Sequence, residues 1–258
     1  MHFQPVGQCI YCGSQDSLSD EHVIPFGLGG TLVLPKASCP LCADITKAFE
    51  QRLLRGHWWA YRRKLGMKSR HPTAQPDTFP VTFEYPSGET VREQISPEEY
   101  PFLLVCDFDP PSFLNGTIVR GVPVARVFLK PLVPTHEMPH VKRHGIEGTP
   151  RLTIEMNFSV EDFVRLLAKI ALAYAIGRRS LPAFAEIFVK EIVRGSTDGA
   201  LSYVGRSATA STIVAGAGHL HALREDTRGD LLIVYIALFR ELDESMPVYQ
   251  VVVGRLRR

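Results

Sequence analysis

Long apolar runs are missing from this 258-residue sequence. The most apolar stretch, residues 163–176, contains Arg165 and Lys169, which argues against a membrane span. The N-terminus lacks a charged segment followed by an apolar run, so we expect no secretory signal and a cytoplasmic protein. A formal net charge of only +2 does not by itself indicate a nucleic-acid partner.

Several common enzyme motifs are also missing. The sequence has no G-x-S-x-G, no phosphate-binding loop and no dinucleotide-binding glycine pattern. It has no internal repeat and no low-complexity segment. Its content of 45% hydrophobic and 22% charged residues is typical of a folded globular protein. The length allows one large domain or two smaller ones.

Cysteine is scarce, but its spacing is informative. Four of the five cysteines form two Cys-x-x-Cys pairs, Cys9 with Cys12 and Cys39 with Cys42. In a reducing compartment such pairs favour a metal over disulfides. Four thiolates match a structural Zn²⁺ site, which leaves no open coordination position for catalysis. Cys106 lies in the apolar run PFLLVC, where a buried thiol is favoured over a reactive one.

The segment between the two pairs contains an acidic residue next to a histidine, Glu21-His22, followed by a proline and a glycine pair. The motifs DEHVIPFGLGG and ASCPLCADITKAFE resemble those of HNH endonucleases of the ββα-metal class, in particular their zinc-clipped branch. This resemblance covers residues 9–55, about a fifth of the chain.

The resemblance implies a β-hairpin followed by a helix, with one catalytic metal ion bound between them. It also implies an endonuclease that hydrolyses phosphodiester bonds in DNA. His22 would act as the general base, which suits an imidazole because its pKa lies near neutral pH. Glu21 would bind Mg²⁺ or Mn²⁺, ions that prefer carboxylate oxygens. The alternative for His22 alone is a structural histidine. The alternative for the whole unit is an inactive zinc module that binds nucleic acid or a partner protein.

One position departs from the family pattern. Ala43 follows the last cysteine of the second pair, where the family usually has a metal-binding Asn or His. Glu50 lies seven residues later, on the same face of a helix predicted from about Asp44 to Arg55. Glu50 is the preferred replacement ligand, with Thr46 as its support, and a surface ion pair is its alternative. Asp44 is the weaker replacement because it also suits the helix N-cap.

Residues 47–71 are rich in cations, with Glu50 as the only acid, and Trp58, Trp59 and Tyr61 are interleaved with the cations. We predict that Arg62, Arg63 and Lys64 contact nucleic-acid phosphates. Trp58 can stack on a base if the substrate is single-stranded. The alternative is that the aromatic side chains pack this unit onto the rest of the protein while the cations stay in solvent.

We predict the α+β class, with an HNH-like zinc module at residues 1–72 followed by an α+β domain at residues 79–258. The second domain should contain antiparallel strands and two central helices, at about Ser159–Gly177 and Leu181–Arg194. Residues 131–150 contain three histidines spaced four apart, but the prolines and glycines among them predict an exposed loop. Substrate positioning, a protein partner or homo-oligomer formation are all possible roles for this domain.

Overall fold

A computed structural model of the protein describes residues 3–56, 58–67, 77–100, 102–131, 134–154, 158–208, 220–241 and 245–258. The fold is mixed α and β, and all strand pairs within these ranges are antiparallel. Within these ranges no helix has the length and apolar character needed to cross a bilayer.

The N-terminal part is a β-hairpin followed by a long helix. Strands β1 (Ser19–His22) and β2 (Val33–Ser38) pair with each other, and helix α1 (Pro40–Arg55) follows directly. The loop between the strands turns at Gly29, whose φ of +80° favours glycine. A Cβ on Gly30 would lie 2.0 Å from the carbonyl oxygen of Ile24, so glycine is required there as well.

The remaining elements form three sheets and four further helices in the described residues. The largest sheet has the order β10-β11-β12-β8, with β9 also paired to β12; the other two have the orders β4-β3-β7 and β5-β6. The strands are β3 (Phe79–Glu84), β4 (Thr90–Ile95), β5 (Phe102–Asp107), β6 (Arg126–Pro131), β7 (Arg151–Thr153), β8 (Phe184–Ile187), β9 (Val204–Arg206), β10 (Ala222–Arg228), β11 (Leu231–Ala237) and β12 (Val248–Leu256). The helices are α2 (Trp59–Lys64), α3 (Pro139–His144), α4 (Val160–Arg179) and α5 (Lys190–Arg194).

Helix α4 contributes many of the buried residues of the main hydrophobic core. It begins at the predicted position, because Ser159 is its N-cap and the Ser159 hydroxyl accepts a hydrogen bond of 3.1 Å from the backbone N–H of Asp162. It packs on α1 on one side and on β11 and β12 on the other. One hydrophobic cluster therefore runs from Cys9 and Trp58 through α4 to Val253. The hairpin and α1 share this core with residues that come more than a hundred positions later.

Several predicted elements differ from the structure. The second central helix, predicted at Leu181–Arg194, is wrong: Phe184–Ile187 forms β8 on the edge of β12, and only Lys190–Arg194 is helical. Helix α4 continues past Gly177 to Arg179. Residues 131–150 also depart from the exposed-loop prediction, because Pro139–His144 forms α3 and buries His140. The predicted boundary between the two domains falls at residues 72–79, most of which lie outside the described ranges.

Candidate metal centre and the adjoining carboxylate–lysine cluster

The four paired cysteines converge as predicted. The Sγ atoms of Cys9, Cys12, Cys39 and Cys42 all lie within 4.8 Å of one another, and three of the four residues are buried. We call this group the zinc clip. Four thiolates at this spacing fit the tetrahedral coordination that Zn²⁺ adopts in structural sites. The chain can therefore hold a metal ion here that joins its first residues to α1.

Backbone geometry brings the two pairs together. The N–H of Gly13 donates to the carbonyl of Cys9 at 2.9 Å, which closes a tight turn that ends at a φ of +82°. The N–H of Ile10 donates to the carbonyl of Ala37 at 2.8 Å, so this turn is tied to the end of β2. Cys39 is the N-cap of α1, and Pro40 occupies the first helical position. Each pair thus lies on a rigid local structure.

A second cluster lies beside the zinc clip and joins three elements. Lys169 on α4 is fully buried, and its Nζ lies 2.9 Å from Glu21 Oε1 on β1 and 3.0 Å from Glu50 Oε1 on α1. The same ammonium donates to the carbonyl of His22 and lies 3.4 Å from that of Val23. We call Glu21, Lys169 and Glu50 the carboxylate–lysine cluster.

Burial and charge oppose each other in this cluster. Burial alone would lower the pKa of Lys169, but Glu21 and Glu50 raise it above its ordinary value. Burial raises the pKa of Glu50, and the neighbouring Lys169 opposes that shift. The Tyr11 hydroxyl is also buried, and its pKa is raised by burial and by Glu21. A charged lysine is therefore favoured here, because it offsets two carboxylates that have little access to water.

This arrangement does not fit a divalent ion between Glu21 and Glu50. The two carboxylates do meet at one point, but an ammonium with four oxygen neighbours lies at that point. Among the described residues, only the four cysteines form a group whose ligand atoms lie close enough to hold a metal. Mg²⁺ or Mn²⁺ could bind here only if Lys169 left a fully buried position.

The imidazole of His22 takes a different direction from the Glu21 carboxylate. Successive side chains of a strand point to opposite faces. The His22 ring packs edge-on against Phe26, with ring centroids 5.8 Å apart, and is only partly buried. The backbone of His22, in contrast, belongs to the cluster because its carbonyl accepts from Lys169.

The residues around Ala43 have local roles in α1. Asp44 is exposed and lies inside the helix, since α1 begins at Pro40, so the N-cap interpretation of Asp44 is wrong. Thr46 does not support Glu50, because its hydroxyl donates to the carbonyl of Ala43 at 3.1 Å. Ala43 itself supplies only backbone groups to the helix.

The basic aromatic segment is divided between core and surface. Trp58 is 1% exposed and packs edge-on against Phe163, and Arg62 is 4% exposed and donates to the carbonyls of Gly27 and Leu54. Their burial leaves neither side chain available to a nucleic acid. Lys64 donates to the carbonyl of Tyr100 at 2.9 Å.

Within the described part of this basic segment, the exposed cations lie on α1. Lys47, Arg52 and Arg55 are exposed, but Arg52 makes a two-pronged ion pair with Asp162 of α4 at 2.6 and 2.7 Å. Arg63 on α2 is partly exposed and lies 3.7 Å from the exposed carboxylate of Asp77. Lys68 and Arg70, which belong to the predicted basic segment, are outside the described residues.

Comparison with protein-family models, with curated proteins and with solved structures found no match. Of the predicted site, the structure itself supports the zinc clip.

Sequence patterns do not identify two residues that contribute to this region, Lys169 and His221. In the sequence Lys169 is only a charge that interrupts an apolar run. A lysine in the middle of an apolar helix is itself a sign of a buried ion pair. His221 precedes β10, and its Nε2 donates to the carbonyl of Leu28 at 2.8 Å, while its Nδ1 accepts from the N–H of Phe239 at 3.3 Å. His221 therefore links the loop between β1 and β2 to the segment that follows β11 in the largest sheet.

His221 predicts a dependence of stability on pH. Burial lowers its pKa from 6.5 to about 4, so the unfolded state binds more protons between these values. The free energy of unfolding should fall by about 2 kcal/mol from this residue as pH drops from about 7.5 to about 5. In urea titrations, the difference in the free energy of unfolding between wild type and His221→Gln should shrink by that amount over the same pH range. Glutamine keeps a donor and an acceptor but does not titrate. A gap that is constant with pH would contradict this role.

Proposed function

We propose that this protein is an HNH-like, zinc-clipped protein that binds DNA without cleaving it. The observation that carries the proposal is the ammonium of Lys169 between Glu21 and Glu50. In the family that the sequence resembles, a divalent ion supplies the positive charge between the hairpin and the helix. Here a side chain of the protein supplies that charge, and it offers no coordination position to a substrate or a water molecule.

The exposed basic side of α1 supports the binding part of the proposal. Lys47 and Arg55 are eight residues apart on the same helix, so they lie on one face about 12 Å apart along its axis. Cations on such a face bind DNA phosphates without reading the sequence. Arg63 on α2 is the further candidate contact, and Lys64 contributes less because its ammonium is held by Tyr100.

The second candidate is a metal-dependent endonuclease with His22 as the general base. The hairpin, the helix and the meeting of Glu21 with Glu50 favour it, since these are the parts that the resemblance requires. In such an enzyme Glu21 and Glu50 would hold Mg²⁺ or Mn²⁺, and Lys169 would have to leave the cluster first.

Binding is tested by the salt dependence of the affinity for a labelled DNA duplex. The double variant Lys47→Gln, Arg55→Gln should reduce the slope of log K against log salt by about 2, because two phosphate contacts are lost. The matched control is Lys142→Gln, Arg151→Gln, which removes the same charge from exposed positions on α3 and β7. Equal slopes for the two double variants, or no binding by the wild type, would refute the proposal. Absence of DNA binding by the wild type would point to the larger domain as the functional part of the protein.

Cleavage is tested on supercoiled plasmid with Mg²⁺ or Mn²⁺. The proposal expects none from the wild type. Cleavage that is lost in both His22→Ala and Glu50→Ala, with the zinc content unchanged, would establish the endonuclease instead. Cleavage that persists in His22→Ala would rule out this assignment of the general base.

A further inference from the structure

A cavity of about 560 Å³ is lined by three arginines from different elements. Arg126 is the first residue of β6, Arg206 is the last residue of β9, and Arg240 follows β11. A space of this size is typical of sites that bind small molecules. We call it the arginine cavity.

One carboxylate holds two of these arginines side by side. Asp107 is the last residue of β5, and its side chain is only 14% exposed. Its Oδ1 accepts from Nη1 of Arg206 at 2.9 Å. Its Oδ2 accepts from Nε of Arg126 at 3.2 Å and lies 2.9 Å from Nη2. Because a guanidinium has five N–H groups, both arginines keep donors that Asp107 does not use. Asp107 therefore positions two cations and offsets the charge of only one of them.

Arg240 brings a positive charge to the same cavity. It is half-buried, and no hydrogen bond or ion pair joins its guanidinium to a residue in the described ranges. Arginines that are withdrawn from water are normally paired, because an uncompensated charge costs free energy there. The preceding residue, Phe239, has a φ of +58°, a left-handed conformation that is rare for a bulky side chain. Strained residues of this kind concentrate at binding sites.

The nearby carboxylates leave the cavity with an excess of positive charge. Asp109 also lines it, but its side chain is 92% exposed and lies 3.6 Å from Arg126, so it has room to turn to solvent. Within the described lining, three arginines therefore outnumber two carboxylates. Lys130 adds a further cation, because its ammonium donates to the hydroxyl of the lining residue Ser245. A cleft with such an excess concentrates anions.

We propose that the arginine cavity binds the phosphate group of a phosphate monoester. The planar guanidinium matches the spacing of phosphate oxygens, and a monoester has three terminal oxygens that three arginines can share. A cationic ligand is disfavoured, because both oxygens of Asp107 already accept from arginines. The rest of the lining is largely apolar, which suits an organic group on the phosphate: Phe108, Pro110, Ala208, Met246, Pro247 and Val248.

The proposal is tested by isothermal titration calorimetry of the whole zinc-loaded chain at low salt, with AMP and adenosine as probes. The wild type should bind AMP at least about tenfold more tightly than adenosine, which lacks the phosphate. Arg206→Gln and Arg240→Gln should each weaken AMP binding about tenfold, with unchanged circular dichroism. The matched control is Arg151→Gln, at an exposed position on β7 outside the cavity, and it should bind AMP as the wild type does.

A second pair of probes distinguishes a small molecule from the end of a DNA strand, since both can carry a phosphate monoester. The probes are a short single strand with a 5′-phosphate and the same strand with a 5′-hydroxyl. If the ligand is a strand end, the 5′-phosphate should tighten binding of the strand beyond that of AMP, and Arg240→Gln should remove this gain. If it is a small molecule, the two strands should bind alike.

Two results would overturn the proposal. One is that neither pair of probes shows a preference for the phosphate. The other is that Arg240→Gln and Arg151→Gln bind the phosphate-bearing probe with equal affinity. Neither measurement uses duplex DNA or alters Lys47 and Arg55, so this proposal and the proposed function fail separately.

Discussion

Replacing Lys169 with Met should lower the free energy of unfolding by about 3 to 5 kcal/mol at neutral pH. The substitution keeps the length of the side chain but leaves Glu21 and Glu50 facing each other in a buried position without a counter-charge. Urea unfolding followed by circular dichroism, with zinc in excess, measures the loss. The loss should shrink at lower pH, since a proton taken up by either carboxylate relieves the repulsion.

Two further variants show whether the carboxylates are the cause. The triple variant Glu21→Gln, Glu50→Gln, Lys169→Met should recover much of the lost stability, because no charge remains in the cluster. Lys142→Met, at an exposed position, should have little effect. A cost below about 1 kcal/mol for Lys169→Met would mean that the carboxylates do not depend on this ammonium.

Lys169→Met also distinguishes between the two candidate functions, DNA binding and DNA cleavage. Without the ammonium, Glu21 and Glu50 can offer their oxygens to a divalent ion. Added Mn²⁺ should therefore stabilise Lys169→Met and leave the wild type unchanged. Stabilisation of the wild type that is lost in Glu50→Ala would instead support the endonuclease.

Cys39→Ser should abolish zinc binding and unfold at least the hairpin and α1. Binding of a structural Zn²⁺ contributes about 10 to 16 kcal/mol, which is comparable with the whole stability of a typical domain. Because the residues around the zinc clip share a hydrophobic cluster with α4, the loss should extend to that helix. Zinc content and helical circular dichroism measure the two effects together.

Cys106→Ala is the matched control for this prediction. Cys106 is buried in β5, and burial raises the pKa of its thiol, so it has no part in the zinc clip. This variant should keep its zinc and its fold, with at most a small loss of stability. A folded, helical Cys39→Ser protein without zinc would show that the core holds the hairpin without the metal.

Local patterns were sufficient for much of the fold. The antiparallel strands predicted for the second domain are present, among them the hairpin of β3 and β4, and α4 begins next to Ser159 as predicted. The spacing of the cysteines predicted the zinc clip because a metal imposes its own geometry on nearby residues. In each case the decisive interactions join residues that are close in the sequence or are fixed by one ion.

The errors arose where distant partners decide the structure. Phe184–Ile187 has an apolar pattern that suits a helix, but the edge of β12 pairs with it as a strand. The prolines around His140 and His144 predict a loop, but both histidines lie on α3, where Glu93 of β4 pairs with both and Tyr85 contacts His144. The motif predicts Glu21 and Glu50 as ligands of one divalent ion. The ammonium that pairs with both could not be inferred from the motif, because Lys169 lies 148 residues beyond Glu21.

The position of Lys169 has a consequence for how this chain is made. Glu21 and Glu50 leave the ribosome well before α4 does. At about 5 to 20 residues per second, the 148 residues between Glu21 and Lys169 take roughly 7 to 30 s to synthesise. During that time the nascent hairpin and α1 can bind zinc, but the carboxylates of Glu21 and Glu50 must stay in water. The N-terminal unit can therefore dock onto its core only after two thirds of the protein has been translated.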